Sequence, residues 1–423
     1  MTAPRPGKAR LALILGGLVA FGPLSIDMYL PAFPAMAEQL GTGAAQVQLT
    51  LTTFMVGLAL GQVVAGPLSD SFGRRRPLLV GLVLYAVSSL ACAIAPSVYA
   101  LIALRFAEGA CAAAGIVIGR AAVRDLFSGV EMARFFSVMI IVTGLAPILA
   151  PVIGGQVLRW TDWPGIFVVL AGFGVLLLVA TAFGLRETLP AERRHPAHLG
   201  RTLRAYGGLI ADRSFMAYGA AAAFVTGAMF AYIAGSSFVL QNLHAMSPQA
   251  YSIVFGVNAL GIVLMAQLNG ALLRRFSLRA LLRVGLLLSA AGGAAVLVVT
   301  ALDLGLPFLL AGLFVVVASV GMVTPNCSAL ALADHGDQAG TASALLGLVQ
   351  FVVGGLAAPL VGLGGTESAL PMGIVIAGLS VLGLASFLLA RPGSPAQPSA
   401  GPAPMPEPGD QPAPAGPLRR PTD

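Results

Sequence analysis

A chain of 423 residues in which 57% are hydrophobic and only 10% charged is too apolar for a water-soluble globule, where charged residues make up about a quarter. The composition is that of an all-α integral membrane protein that crosses the bilayer many times. The formal charge of +7 does not point to a nucleic-acid partner, because the arginines are divided among loops instead of forming a basic face on a soluble domain.

Runs of about twenty apolar residues bounded by charges or Gly/Pro clusters give twelve spans, near 11–31, 47–67, 77–95, 98–120, 135–157, 164–185, 214–240, 250–272, 279–300, 305–331, 340–362 and 369–390. The first run is flanked by Arg5, Lys8 and Arg10, the charge pattern of a signal peptide, but it continues past Asp27 without a small-residue cleavage site and reads as a retained span. Lysine and arginine accumulate on the cytoplasmic side of membrane proteins. Here the N-terminal Arg5, Lys8 and Arg10, the triplet Arg74, Arg75 and Arg76, then Arg120, Arg124, Arg134, the arginines of 186–213, Arg274, Arg275, Arg279, Arg283, Arg391, Arg419 and Arg420 share one face, and Arg159 falls on the other. Both termini are therefore expected in the cytoplasm. The basic loop 186–213 lies midway, so residues 1–190 are expected to form an N-terminal six-helix half, 191–212 a cytoplasmic loop and 213–390 a C-terminal six-helix half. The tail 391–423, rich in Pro, Gly, Ala and Ser, cannot bury a core and is expected to be disordered. Cys92, Cys111 and Cys327 lie one per apolar segment, and His195, His198, His244 and His335 lie in loops or at span ends, so neither a metal nor a cofactor is expected.

The stretch 61–77, GQVVAGPLSDSFGRRRP, organises the chain: an apolar helix is expected to break at Gly66–Pro67 and run into Asp70, Gly73 and three arginines. An acid in a basic turn can pair with an arginine or with a helix N-terminus, whose positive dipole end favours it. The spacing G-x-L-x-D-x-x-G-R-R-R resembles the signature loop between the second and third spans of the major facilitator superfamily. On that resemblance Gly66, Asp70, Gly73, Arg74 and Arg75 are a cytoplasmic gate, with Asp70 a latch acting across the seam between the halves. A weakened copy, GALLRRFSLRALL from Gly270, begins 204 residues later, with Arg274 in place of Asp70 and Ser277 in place of Gly73. The repeat implies two pseudo-symmetric six-helix halves, the major facilitator fold, with a cavity between them near mid-bilayer.

A charge at mid-bilayer costs at least about 2.5–3.5 kcal/mol on insertion scales, so ionisable residues there are functional candidates. Asp27 lies in span 1 within SIDMYLPAFP, toward the far end of the run 11–31; Arg105 and Glu108 lie three apart in span 4, hence on one helix face. The proton is expected on Asp27, with Glu108 as runner-up and Arg105 tuning both; the structural alternatives are an interfacial acid at the far end of span 1 for Asp27 and mutual neutralisation for Arg105 and Glu108. Span 4 resembles the superfamily's R-x-x-Q-G motif at Arg105 and Gly109, with Glu108 where glutamine is usual. Span 5, GLAPILAPVIGG, resembles the antiporter motif at Gly144, Pro147, Pro151, Gly154 and Gly155.

With IDMYLPAFP, RAAVRDLF and AYIAGSSFVLQ, the chain from 11 to 390 is similar to the bicyclomycin and chloramphenicol resistance (Bcr/CflA) branch of drug:proton antiporters. The resemblance implies a monomer in the bacterial cytoplasmic (inner) membrane that exports small amphipathic drugs in exchange for protons, and Asp27, Tyr29, Phe33, Arg105, Phe230, Tyr232, Asn258 and Asn326 are expected to bind substrate. A proton-coupled exporter of a physiological metabolite, such as a sugar or amino acid, shares every mechanical feature. An enzyme would need clustered His, Asp, Glu or Ser at one membrane face, and direct ATP coupling a phosphate loop; the sequence offers neither.

Overall fold

The computed structural model describes residues 8–194, 199–335, 338–365 and 368–389. The tail 391–423, His195, His198 and Glu367 lie outside the described residues. Among the described residues the fold is helical without strands, and twelve helices are long and apolar enough to cross a membrane. In chain order these are span 1 (Arg10–Gln39), span 2 (Ala44–Phe72), span 3 (Arg75–Ala93), span 4 (Val98–Leu126), span 5 (Arg134–Val157), span 6 (Pro164–Gly184), span 7 (Arg213–Leu243), span 8 (Pro248–Leu272), span 9 (Leu278–Leu302), span 10 (Leu306–Leu332), span 11 (Gly340–Gly362) and span 12 (Leu370–Leu389). Between spans 6 and 7 the basic loop contains a further helix, Leu199–Ala211, which packs against spans 7 and 11.

Two of the boundaries that differ from the sequence reading bear on the site. Span 1 does not end at residue 31; it continues to Gln39 after an interruption, which places Asp27 in the middle of the span and not near its end. Nor does span 2 break at Gly66–Pro67. Its helix runs through Pro67 to Phe72 and stops at Gly73, whose φ of +84° is open to glycine and strained for other residues. A proline removes one amide donor but does not by itself unwind a long membrane helix, and here Ser69 and Ser71 donate their hydroxyls to the Gly66 and Pro67 carbonyls.

In lipid, helices associate by close packing and not by the hydrophobic effect, so small residues set the crossings. Spans 2 and 4 interlock reciprocally: Gly57 lies against the Phe106 carbonyl, and Gly109 against the Phe54 carbonyl, with no room for a Cβ at either. A comparable crossing joins spans 8 and 10, where Gly321 lies against the Ile262 carbonyl. The first six spans meet the last six where span 2 packs on span 11 and span 5 on span 8. Four hydrogen bonds that cross there lie toward the face opposite the arginine triplet: Gln48 Nε2 to the Ala234 carbonyl (3.0 Å), Thr52 Oγ1 to Gly355 (2.7 Å), Ser237 Oγ to Leu30 (2.6 Å) and Gln249 Nε2 to Gly155 (2.8 Å).

Overpacking of this kind costs about 1–3 kcal/mol. Gly109→Ala is expected to lower the thermal unfolding midpoint of the detergent-purified protein, whereas Gly172→Ala, with open space around its Cβ position, should leave it unchanged. Equal midpoints for the two variants would show that the span 2–span 4 crossing is not tight.

Candidate functional site

Span 1 is helical from Lys8 to Asp27, turns at Met28 and Tyr29, passes through a 3-10 turn at Leu30–Ala32 and resumes as helix from Phe33 to Gln39. Pro31 and Pro34 cannot supply the amide hydrogens that would carry an α-helix through this stretch. The interrupted backbone is taken up by neighbours, as buried irregular backbone in a membrane must be. Ser237 Oγ of span 7 donates to the Leu30 carbonyl, and Gly154 of span 5 lies so close to the Met28 carbonyl that no side chain fits. The Ser25 carbonyl accepts from Arg105 Nη2 at 2.8 Å.

Arg105 is wholly buried. Its guanidinium carbon lies 4.3 Å from the Tyr29 ring centroid, 4.2 Å from that of Phe54 and 5.6 Å from that of Phe167. The span 2–span 4 crossing at Gly109 is what brings the Phe54 segment this close. Nη1 donates to Glu108 Oε2 at 2.6 Å, and Ser89 Oγ of span 3 donates to Glu108 Oε1 at 2.6 Å. Both Glu108 oxygens are thus taken up and aromatic faces cover the cation, whose Nε has no hydrogen-bond partner among the described residues. Ser25 and Tyr85 share a further hydrogen bond of 2.6 Å beside it.

Asp27 is arranged differently. It is 4% exposed and makes no hydrogen bond or ion pair among the described residues. Arg105 is engaged by Glu108 and by the Ser25 carbonyl. Of the other expected lining residues, Tyr29 and Phe33 stand edge to face at 5.0 Å, and Tyr29 shares a hydrogen bond of 3.2 Å with Thr50. Tyr232 is stacked on Phe255 and accepts from Asn258 Nδ2 at 2.8 Å. Phe230 fills the space that a side chain at Gly354 of span 11 would need. Asn326 is taken up in a bond to Asn269 (2.7 Å) that ties span 10 to span 8. Within the span 5 motif, the helix continues through Pro147 and Pro151; Gly144 is in ordinary contact with Val263, and Gly155 lies against Ser252 of span 8.

The family model of the Major Facilitator Superfamily matches residues 14–359. The chain belongs to the major facilitator superfamily. It is 42% identical over 385 residues to the "Uncharacterized MFS-type transporter YdgK" of Bacillus subtilis, covering 90% of this chain and 96% of that one. It is 33% identical over 360 residues to a "Bicyclomycin resistance protein homolog" of Haemophilus influenzae, covering 85% and 90%. The fold matches the crystal structure of a point mutant of the nucleoside transporter NupG with a TM-score of 0.74 at 14% identity, covering 90% of this chain and all of that one. The superfamily comprises transporters and not enzymes, and the resemblance to its bicyclomycin and chloramphenicol resistance members is sustained.

The superfamily's signature loop is built here around two carboxylates that the sequence reading did not single out. Arg74 Nε donates to Asp125 at the end of span 4 (2.9 Å), and its Nη1 to Ser69 (2.7 Å) and to Asp70. Among the described residues Asp70 thus pairs inside its own loop and with no group across the seam; its side chain is 53% exposed. Gly66 faces Val117 of span 4 at ordinary contact distance. Glu187, just beyond span 6, accepts from the backbone amides of Arg74 (2.8 Å) and Arg75 (3.3 Å), capping span 3. Partial burial alone would raise the Glu187 carboxyl. The amides of Leu189, Arg74 and Arg75 and the Arg194 guanidinium outweigh burial and hold it below the usual carboxylate range. Its contribution is therefore complete above that range and lost as pH falls through the lowered value. A carboxylate oxygen would meet any Cβ at Gly73, a second reason for glycine there. Arg75 Nη2 and Nε reach the Ala182 and Leu185 carbonyls at the end of span 6.

Removing one partner of a buried ion pair costs about 3–5 kcal/mol because the other charge is left unpaired. Glu108→Ala is therefore expected to unfold at a clearly lower temperature than the parent in detergent. Glu108→Gln, which keeps an oxygen for Ser89 and Arg105, should lose less than half as much. If alanine and glutamine are equally tolerated, the pair does not hold span 4 to span 1.

Proposed function

We propose that the chain is a secondary active transporter that exports amphipathic drugs of the chloramphenicol or bicyclomycin kind from the cytoplasm in exchange for protons, by alternating access. Residues 1–190 and 213–390 act as two halves that rock about the mid-membrane site. The protein works as a monomer in a bacterial cytoplasmic membrane, with both termini and the arginine-rich face on the cytoplasmic side. The observation that carries the coupling is the contrast between the two buried acids. Glu108 is closed off by Arg105 and Ser89, whereas Asp27, at the break in span 1, has no partner among the described residues. The bicyclomycin-resistance name of the Haemophilus relative supports the drug class.

The cycle follows from that contrast. A bare carboxylate in a dry membrane site is expensive, so the closed arrangement favours the neutral acid. When the halves part toward the cytoplasm, water and drug reach the break and Asp27 can give up its proton; when they part toward the outside, it is reloaded. Tyr29, Phe33, Phe230, Tyr232 and Asn258 supply the mostly apolar wall with few polar groups that accepts varied ligands. The loop carrying Gly66, Asp70, Gly73, Arg74 and Arg75 closes the cytoplasmic side, held to spans 4 and 6 by Asp125 and Glu187. Spans 1, 2, 5, 7, 8 and 11 close the outside through the four cross-seam hydrogen bonds. The membrane potential supplies about 2.3 kcal/mol per charge at 100 mV, enough for a roughly fifty-fold gradient if one net charge moves per cycle.

In reconstituted vesicles with an imposed pH gradient, the parent protein is expected to accumulate chloramphenicol, and Asp27→Asn to bind it but not accumulate it, while Glu108→Gln retains most transport. Accumulation by Asp27→Asn together with its loss in Glu108→Gln would reverse the assignment. Gradient-driven movement of sugars or amino acids and not of drugs would point to a metabolite exporter.

A further inference from the structure

Six spans form a closed ring: span 4 packs on spans 2 and 5, span 2 on span 11, span 5 on span 8, and span 10 on spans 8 and 11. Spans 4 and 10 therefore face each other across it. The ring is sealed at one end. On span 11, Gly354, Gly347 and Gly340 lie seven residues apart, close to two turns, and so share one helix face. A Cβ at Gly354 would meet Phe230 and Met55, whereas one at Gly347 or Gly340 would meet open space. The four cross-seam hydrogen bonds also lie away from the arginine-rich face, so the first and last six spans separate toward that face.

Arg120 and Arg124, the two arginines of RAAVRDLF, lie on span 4 at this open end, four residues apart and hence one above the other. On the same helix Ile116 lies against Gly22 of span 1 and Val117 against Gly66 of span 2. Arg120, one turn on from both, points between those two spans toward the ring interior. Both arginines are exposed, and neither makes a hydrogen bond or ion pair among the described residues. The adjacent acid is spent, since Asp125 accepts from Arg74 and Thr188. By contrast Arg74 is balanced by Asp70 and Asp125, and Arg75 by the carbonyls at the end of span 6. The general excess of arginine on the cytoplasmic side explains basic residues at the end of span 4, but not their place on its inward face without an acid.

We propose that Arg120 and Arg124 are a charge filter at the cytoplasmic mouth of the transport path, which admits neutral amphiphiles and turns away cationic ones. The inference rests on the chain exporting amphipathic compounds through the ring, and it narrows their class. Two like charges in a mouth with apolar walls set up a positive potential there. Fields focused in this way change the local concentration of charged solutes by about 10–10³-fold and leave neutral ones untouched. A guanidinium keeps its charge at every working pH, so the filter is independent of the pH gradient that drives transport. Chloramphenicol, a neutral molecule, passes; an organic cation meets two unbalanced positive charges before it reaches the mid-membrane site.

The test is gradient-driven accumulation in reconstituted vesicles, with ethidium as the cationic probe and chloramphenicol as the neutral one, read as the ratio of the two. The parent is compared with a double variant carrying Arg120→Gln and Arg124→Gln and with a second carrying Arg120→Lys and Arg124→Lys, which keeps the charges on different side chains. The ethidium-to-chloramphenicol ratio is expected to rise about tenfold or more in the glutamine variant and to stay near the parent's in the lysine variant. Should the double glutamine variant not fold, Arg120→Gln alone is expected to move the ratio in the same direction by less. A ratio unchanged by glutamine, a lysine variant that behaves like the glutamine one, or a parent that accumulates ethidium as readily as chloramphenicol would overturn the filter. A parent that accumulates neither probe would instead remove the drug-export reading on which the proposal stands.

Discussion

The guanidinium of Arg105 is a permanent positive charge with no solvent in reach, and the middle of the molecule is arranged around satisfying it. It needs an anion, which Glu108 supplies one turn along the same helix, and it needs aromatic faces, which Tyr29, Phe54 and Phe167 supply from three other spans. It also needs a further acceptor, and takes the carbonyl of Ser25. Each requirement fixes a neighbour. Phe54 comes close only because Gly109 and Gly57 let spans 2 and 4 cross backbone to backbone. The Ser25 carbonyl and the Tyr29 ring bracket Asp27, so satisfying Arg105 also positions the segment where span 1 loses its helix.

The consequence is a division of labour between two acids in one chain. Glu108 is locked by charge, and its removal is a structural event. Asp27 sits at the edge of the broken segment, held in place by its backbone neighbours, while its own carboxyl is left unspent among the described residues. Broken membrane helices are tolerated only where protein or a cavity covers the irregular backbone, and they recur at transport sites for that reason. Span 7 carries a milder version of the same device, with its last turn, Val239–Leu243, wound as a π-helix just beyond Ser237. The Ser237–Leu30 bond ties the 3-10 turn of span 1 to the helix just ahead of that π-turn, where the first and last six spans meet.

Much of this was legible in the sequence because hydropathy and charge act locally. The twelve spans follow from apolar length, and the Arg105–Glu108 pair from a spacing of three on a helix. The depth of Asp27 was not legible: Pro31 and Pro34 look like the end of a span, and only packing of Leu30 and Met28 against spans 7 and 5 shows that the chain crosses on to Gln39. Proline misled a second time at Pro67, where the helix continues to Gly73. Asp125 and Glu187 were missed because their partners lie far away in sequence. Asp125 did leave a signal, as an acid beside Arg124 at the end of span 4. Gln48 and Ser237 left one too, as polar side chains inside apolar runs that turn out to donate across the seam.

The central claim is that Asp27, and not Glu108, changes its protonation state as substrate enters. Infrared difference spectroscopy of the reconstituted protein, recorded before and after addition of chloramphenicol, reads this directly through the carboxylic acid C=O band. Loss of one such band on drug binding is expected in the parent and in Glu108→Gln, and no such loss in Asp27→Asn. A band that still disappears in Asp27→Asn, or that vanishes from the difference spectrum only in Glu108→Gln, would contradict the account.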